Sequence, residues 1–212
     1  MESVLPGPQV DALAALAATP IAERFYLAGG TALALQLGHR VSVDLDFFRA
    51  DSFDPHAEIA SLKSPGLTVT RTEEGTAHVV YRGVRVSLLG FPYPLLRPLV
   101  SSPPPIGDKI RLASIEDIVA MKLSALGGRG ARRDFVDLYC AMKAKGWGIN
   151  DVLGLFAQRF KGIRYDPYHF ARAVTYFVDA ELEPQPKMLQ PLEWADVKAF
   201  FEAEAKHVVF SP

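Results

Sequence analysis

Two aspartates one residue apart, Asp44-Leu45-Asp46, close the string GGTALALQLGHRVSVDLDFF (29–48), which opens on the glycine pair Gly29-Gly30. On an extended strand, residues i and i+2 point to the same face, roughly 7 Å apart at their Cα atoms. Two carboxylates so placed repel unless a cation lies between them. A hard divalent ion such as Mg2+ takes oxygen ligands and keeps positions for water and phosphate oxygens, so it suits that gap. Gly29-Gly30-Thr31 stands where a strand passes into a helix, and the backbone N–H groups of a helix start can cradle phosphate. Glycine lets the backbone approach closely because no Cβ intervenes. A phosphate cradle and a carboxylate pair are the two halves of a metal-assisted phosphoryl-transfer site. Taken singly, each motif has a plain structural reading: a solvent-facing pair on a half-exposed strand, and a tight turn.

The elements that position these residues follow from periodicity. Val10, Leu13 and Leu16 fall at helical spacing and predict a helix over about 8–18. RFYLA (24–28) is a short aromatic strand ending at Gly29, TALALQLG (31–38) returns to helix formers, and VSVDLDFF (41–48) alternates as a strand. That alternation puts Ser42, Asp44, Asp46 and Phe48 on one face. Asp54-Pro55 reads as an N-cap followed by proline at the first helical position, opening a helix to about Lys63. Strands follow at LTVTRT (67–72), AHVVYR (77–82) and VRVSLLGF (84–91), separated by EEG and RG turn signals. The first half is thus α/β in the α+β sense, with a small mixed or mostly antiparallel sheet and flanking helices. After the proline-rich SSPPPIGD (101–108) the pattern is helical. Ser114-x-x-Asp117 resembles a capping box opening a helix that Gly127-Gly128 breaks, RRDFVDLYCAMKAK (132–145) is a second helix, and others cover about 150–160, 168–181 and 193–206. The expected division is a core at 1–104 and a helical C-terminal region at 105–212 packed on it, with a soft boundary near residue 105.

The bulk composition excludes several classes. With 49% hydrophobic and 22% charged residues the chain is an ordinary globular protein, long enough for a sizeable core. Its formal net charge of −1 gives no global field for nucleic acid, so an RNA contact would need a local basic patch. The glycine-rich, basic Gly127–Arg133 stretch is one candidate, and a loop between helices explains it equally well. The single cysteine, Cys140, fits a reducing cytoplasm, and no apolar run suits a signal peptide or a membrane span. The five histidines, His39, His56, His78, His169 and His207, show no zinc-ligand spacing. No GxSxG or Walker-type GxxxxGK string occurs.

Gly29-Gly30 followed by Asp44-Leu45-Asp46 resembles the signature of the polymerase-β-like nucleotidyltransferases, and the full string resembles the AbiEii/AbiGii toxin-like branch of type IV toxin–antitoxin systems. The likeness continues at Met121-Lys122-Leu123 and at Arg133-Asp134-Phe135-Val136-Asp137-Leu138, and covers roughly residues 20–145. It implies that Gly29, Gly30 and Thr31 hold nucleotide phosphates and that Asp44 and Asp46 bind Mg2+ or Mn2+. It implies that Lys122 neutralises phosphate charge or positions the nucleotide, that Asp134 and Asp137 form the later acidic motif, and that Arg40 and Ser42 orient the site. An i, i+4 ion pair of Arg133 with Asp137 and a solvated Lys122 are the structural alternatives. The implied reaction is transfer of a nucleoside monophosphate from an NTP to a hydroxyl of RNA, including a tRNA end, or of protein, with a cognate antitoxin opposing it. One departure stands out. Where such enzymes commonly carry a third carboxylate on a later strand, VRVSLL (84–89) carries Ser87. Either an acid from elsewhere (Asp134, Asp137, Glu73 or Glu74) serves, or the chain is a catalytically silent nucleotide-binding module. An aminoglycoside-type small-molecule nucleotidyltransferase is a third reading.

Overall fold

A computed structural model describes residues 4–62, 66–104 and 106–208. The chain divides into two compact units, Met1–Gln36 with Val41–Ser114, and Leu37–Arg40 with Ile115–Pro212. The expected boundary near residue 105 and the expected helix end at Lys63 lie outside the described residues.

The first unit holds helices α1 (Gly7–Leu16), α2 (Ile21–Arg24), α3 (Gly29–Leu37, its last residue counted with the second unit) and α4 (Pro55–Ser61), and strands β1 (Tyr26–Ala28), β2 (Leu45–Arg49), β3 (Thr68–Glu73), β4 (Thr76–Tyr81), β5 (Val84–Gly90), β6 (Val100–Ser101) and β7 (Arg111–Leu112). The strands form one seven-stranded mixed sheet in the order β3-β4-β5-β2-β1-β7-β6. β2 runs parallel to β5 and β1 parallel to β7; the other pairs are antiparallel. Alternation sorts the faces: Leu45, Phe47, Val86, Leu88, Ala77 and Val79 are buried, while Asp46, Ser87 and His78 are only half-buried. Asp54 caps α4 as its sequence suggests, its Oδ1 accepting from the His56 N–H at 2.9 Å.

Two features differ from the expectation. The strand expected over 41–48 begins at Leu45, so Asp46 lies on it and Asp44 just before it, and the alternation expected to set both on one strand face fails there: Val43 is 44% exposed and Ser42 is buried. Residues 42 and 43 spend their backbone groups elsewhere, with Ser42 N–H donating to Val4 O at 3.0 Å and Gln9 Nε2 donating to Val43 O at 3.2 Å. The two-residue strands β6 and β7 flank the proline-rich break, and β7 pairs with β1. Two residues are too few to show a period of two.

The second unit holds α5 (Ile115–Gly128), α6 (Arg132–Lys145), α7 (Ile149–Arg159), α8 (Pro167–Ala173), α9 (Val178–Glu181) and α10 (Trp194–Ala205). The helix expected over 168–181 is two short ones, α8 and α9. Phe135 of α6 anchors the core, meeting Phe177, Trp194 and Phe201 with ring centroids 5.1, 5.9 and 5.6 Å away. Asp117, expected in a capping box, is fully buried and ion-paired with the equally buried Arg159 of α7. Among the described residues no helix is long and apolar enough to cross a membrane.

Candidate active site

In the first unit the glycine turn and the aspartates meet through the sheet. Ala28, the last residue of β1, opposes Asp46 of β2. Gly29 then takes φ +65°, a left-handed conformation that disfavours any side chain, and starts α3. A Cβ on Gly29 would stand 3.0 Å from Asp46 Oδ2 and crowd that carboxylate in its present place. Thr31, the third residue of α3, is buried; its hydroxyl donates to the Asp44 backbone carbonyl and lies 2.8 Å from Ser42 Oγ. Thr31 and Ser42 therefore staple the start of α3 to the segment that carries the aspartates. This pairing also explains why Ser42 turns inward.

Asp44 and Asp46 are both half-buried. Arg85 Nε donates to Asp44 Oδ1 at 2.7 Å. Asp46 opposes Ser87 of β5, and Ser87 Oγ lies 3.1 Å from His78 Nδ1 on β4. Among the described residues no cluster of three or more His, Cys, Asp or Glu side chains is arranged around a metal position. Asp44 and Asp46 offer two carboxylates two residues apart in the chain, a donor chemistry that suits an Mg2+ or Mn2+ ion whose remaining ligands would come from water and nucleotide phosphates. The clearance at Gly29 keeps the Asp46 carboxylate beside the helix start where those phosphates would lie.

Lys122, Asp134, Asp137, His39 and Arg40 come together in the second unit. Asp137, without solvent exposure, accepts from His39 Nε2 at 2.9 Å and from Arg40 Nε and Nη2 at 2.6 and 2.8 Å, and lies 2.7 Å from Lys122 Nζ. Lys122 Nζ also donates to Asp134 Oδ1 at 2.6 Å. Burial alone would raise the Asp137 carboxyl, but the Lys122 charge and the Arg40 and His39 hydrogen bonds outweigh it and hold it well below the usual carboxylate range. Burial would likewise lower Lys122, and the charges of Asp137 and Asp134 raise it instead. Lys122 is thus a buried member of an ion cluster. Helical spacing supplies it, since Asp134 and Asp137 lie one turn apart on α6. The segment bearing His39 and Arg40 is tied down by Leu189 N–H donating to His39 O at 2.9 Å and by a bridge between Arg40 and Met188. Burial, with Asp137 nearby, pushes the Cys140 thiol up to about 12.

Sequence reasoning gave His39 and His78 no role beyond excluding zinc. His39 directly precedes Arg40, and the helical pattern alone could not bring it to Asp137. His78 had a usable signal. The Arg82-Gly83 turn between two alternating runs fixes which residues face each other.

The family model described as "Nucleotidyl transferase AbiEii toxin, Type IV TA system" matches residues 11–209. An Aquifex aeolicus protein, aq_aa25, is 31% identical over 204 residues, covering 93% of this chain and 94% of its own. Among solved structures, JHP933 from Helicobacter pylori is similar with a TM-score of 0.51 at 18% identity, covering 95% of this chain and 88% of its own. MenT4, a nucleotidyltransferase toxin of Mycobacterium tuberculosis H37Rv, matches with a TM-score of 0.50 at 16% identity over 96% of this chain and 85% of its own. At those identities the structural likeness is one of fold. Coverage by the family model across nearly the whole sequence is what assigns the chain to the AbiEii family of nucleotidyltransferase toxins of type IV toxin–antitoxin systems.

Proposed function

We propose that this chain transfers a nucleoside monophosphate from an NTP to a hydroxyl acceptor, an RNA such as tRNA or a protein side chain. The observation that carries this is the fit of the Asp46 carboxylate against Gly29, at the helix start where backbone N–H groups gather phosphate. Gly29 and Gly30 receive the nucleotide phosphates. Asp44 and Asp46 hold Mg2+ or Mn2+, which when bound neutralises charge on the transferred phosphoryl group. Thr31 and Ser42 fix the entry to the strand and so hold the segment that carries the two carboxylates. Arg40, Lys122, Asp134 and Asp137 act as positioning residues: their ion cluster fixes residues 39 and 40, directly upstream in the chain from the aspartates. The acceptor attacks the α-phosphorus, its oxygen gains the new P–O bond, and pyrophosphate leaves. A cognate antitoxin opposes the activity.

A second reading, a nucleotide binder without transfer, is favoured by Ser87 at the place of a third carboxylate. The two part on one experiment. Wild type and the Asp44→Ala/Asp46→Ala variant are incubated with each α-labelled NTP, Mg2+ and total bacterial RNA. Label on RNA or protein from the wild type alone supports the transferase. Metal-dependent nucleotide binding with no label in any reaction supports the silent binder and removes the proposal.

A further inference from the structure

The turn between β4 and β5 is Arg82-Gly83, with φ of 51° and 79°. Two successive positive φ values match the right-handed twist of paired strands in the tightest hairpin. This turn sets the register, so Tyr81 opposes Val84 and His78 opposes Ser87. On its other side Ser87 opposes Asp46. Asp46, Ser87 and His78 thus form one row across three neighbouring strands, on the face opposite buried Leu45, Val86 and Val79. His78 Nδ1 stands 3.1 Å from Ser87 Oγ, within hydrogen-bonding reach.

We infer that Ser87 and His78 together supply the proton acceptor that a third carboxylate would otherwise provide. The inference rests on the nucleotidyltransferase reading above. A serine hydroxyl alone is a poor base, but one whose proton can pass to an imidazole lone pair is not. As the acceptor oxygen bonds to the α-phosphorus and the bond to pyrophosphate breaks, the acceptor proton moves to Ser87 Oγ. Ser87's own proton moves to His78 Nδ1, leaving an imidazolium and free pyrophosphate. The charged neighbours of this row are Arg85, which is paired with Asp44, and Arg71, which opposes His78 on β3 and is paired with Glu73. Both arginines already have carboxylate partners. His78 Nδ1 itself faces the Ser87 hydroxyl.

The test is the initial rate of label transfer from α-labelled ATP, GTP, CTP and UTP to total bacterial RNA with Mg2+, for wild type, His78→Ala, His78→Gln, Ser87→Ala, the His78→Ala/Ser87→Ala pair, Ser87→Asp and Ser87→Asp/His78→Ala. His78→Ala and Ser87→Ala are each expected to lower kcat by about 100-fold, with KM for the NTP and equilibrium nucleotide binding little changed. Their combination is expected to be no worse than either alone, because they remove one relay. Ser87→Asp restores a carboxylate, so the further loss from His78→Ala shrinks to below about tenfold. His78→Gln, which keeps size and a hydrogen bond but accepts no proton, is expected to match His78→Ala. A wild type that transfers label, with His78 variants retaining most of its kcat or with multiplicative losses, overturns the relay and leaves the transferase standing. A wild type that transfers nothing overturns both.

Discussion

Replacing Asp137 with alanine removes the one fully buried carboxylate that Arg40, Lys122 and His39 share. In the intact cluster two cations, Arg40 and Lys122, face two carboxylates, Asp134 and Asp137. The substitution leaves the same two cations facing Asp134 alone. Breaking a buried ion pair from one side costs about 3–5 kcal/mol, because the partner's charge stays out of water uncompensated. For a chain of this size each kcal/mol moves the melting temperature by about 2–4 °C, so a fall of about 6–20 °C is expected. Both tryptophans, Trp147 and Trp194, belong to the second unit, so urea unfolding followed by their fluorescence reads the affected unit directly. The expected result is a lower midpoint with an unchanged m-value. Asp137→Asn, which keeps the shape and removes the charge, is expected to lose a comparable amount. A loss below about 1 kcal/mol would refute the account of this cluster as a structural clamp. If transfer were abolished at undiminished stability, Asp137 would belong to the chemistry itself.

The same carboxylate predicts an acid limit. Its folded-state pKa is depressed, so its contribution is complete above the unfolded value of about 3.9 and is lost as pH falls through the folded one. Fluorescence-detected stability of the second unit should fall below about pH 4, and Asp137→Ala should flatten that acid slope; an unchanged slope in the variant contradicts this. Gly29→Ala places a Cβ 3.0 Å from Asp46 Oδ2 at a left-handed φ. It should cost about 1–2 kcal/mol of stability and also weaken Mn2+ binding. Gly146→Ala, at φ +68° with open space around it, should show a similar stability loss and unaltered Mn2+ binding. Equal metal affinity in Gly29→Ala and wild type would break the link between the glycine and the carboxylate. Arg85→Ala removes a largely exposed partner from Asp44, so stability should move by less than about 1 kcal/mol. Mn2+ titration should show tighter binding by the variant, because a competing cation has gone; weaker binding would mean that Arg85 helps build the site.

Much of the site's frame was legible in the chain. Alternation in VRVSLL and AHVVYR, the Asp54-Pro55 cap and the 132–145 helix all appear where local pattern and capping chemistry place them. What local pattern could not carry is long-range pairing. Ser42 reads as a strand residue, yet its hydroxyl meets Thr31 and its amide meets Val4, which pulls it off the ladder. Lys122 reads as a surface helix lysine until Asp134 and Asp137 close around it. Asp117 also pairs with Arg159 on another helix, a long-range partner that its local cap-like pattern does not announce. The His78–Ser87 pairing was within reach: once Arg82-Gly83 is recognised as a two-residue turn, counting outward from Tyr81 and Val84 places 78 opposite 87. Composition offered no such guide to the acceptor, since the near-neutral net charge is silent on RNA.

In the proposed reaction the α-phosphoryl group, and not another part of the nucleotide, moves to an acceptor under control of Asp44 and Asp46. Parallel reactions with α-labelled and γ-labelled NTP test it most directly. The account predicts that α-label becomes fixed to RNA or protein while γ-label leaves in pyrophosphate, and that both signals vanish in Asp44→Ala/Asp46→Ala. Fixation of γ-label, release of inorganic phosphate without pyrophosphate, or undiminished transfer by the double variant would contradict it.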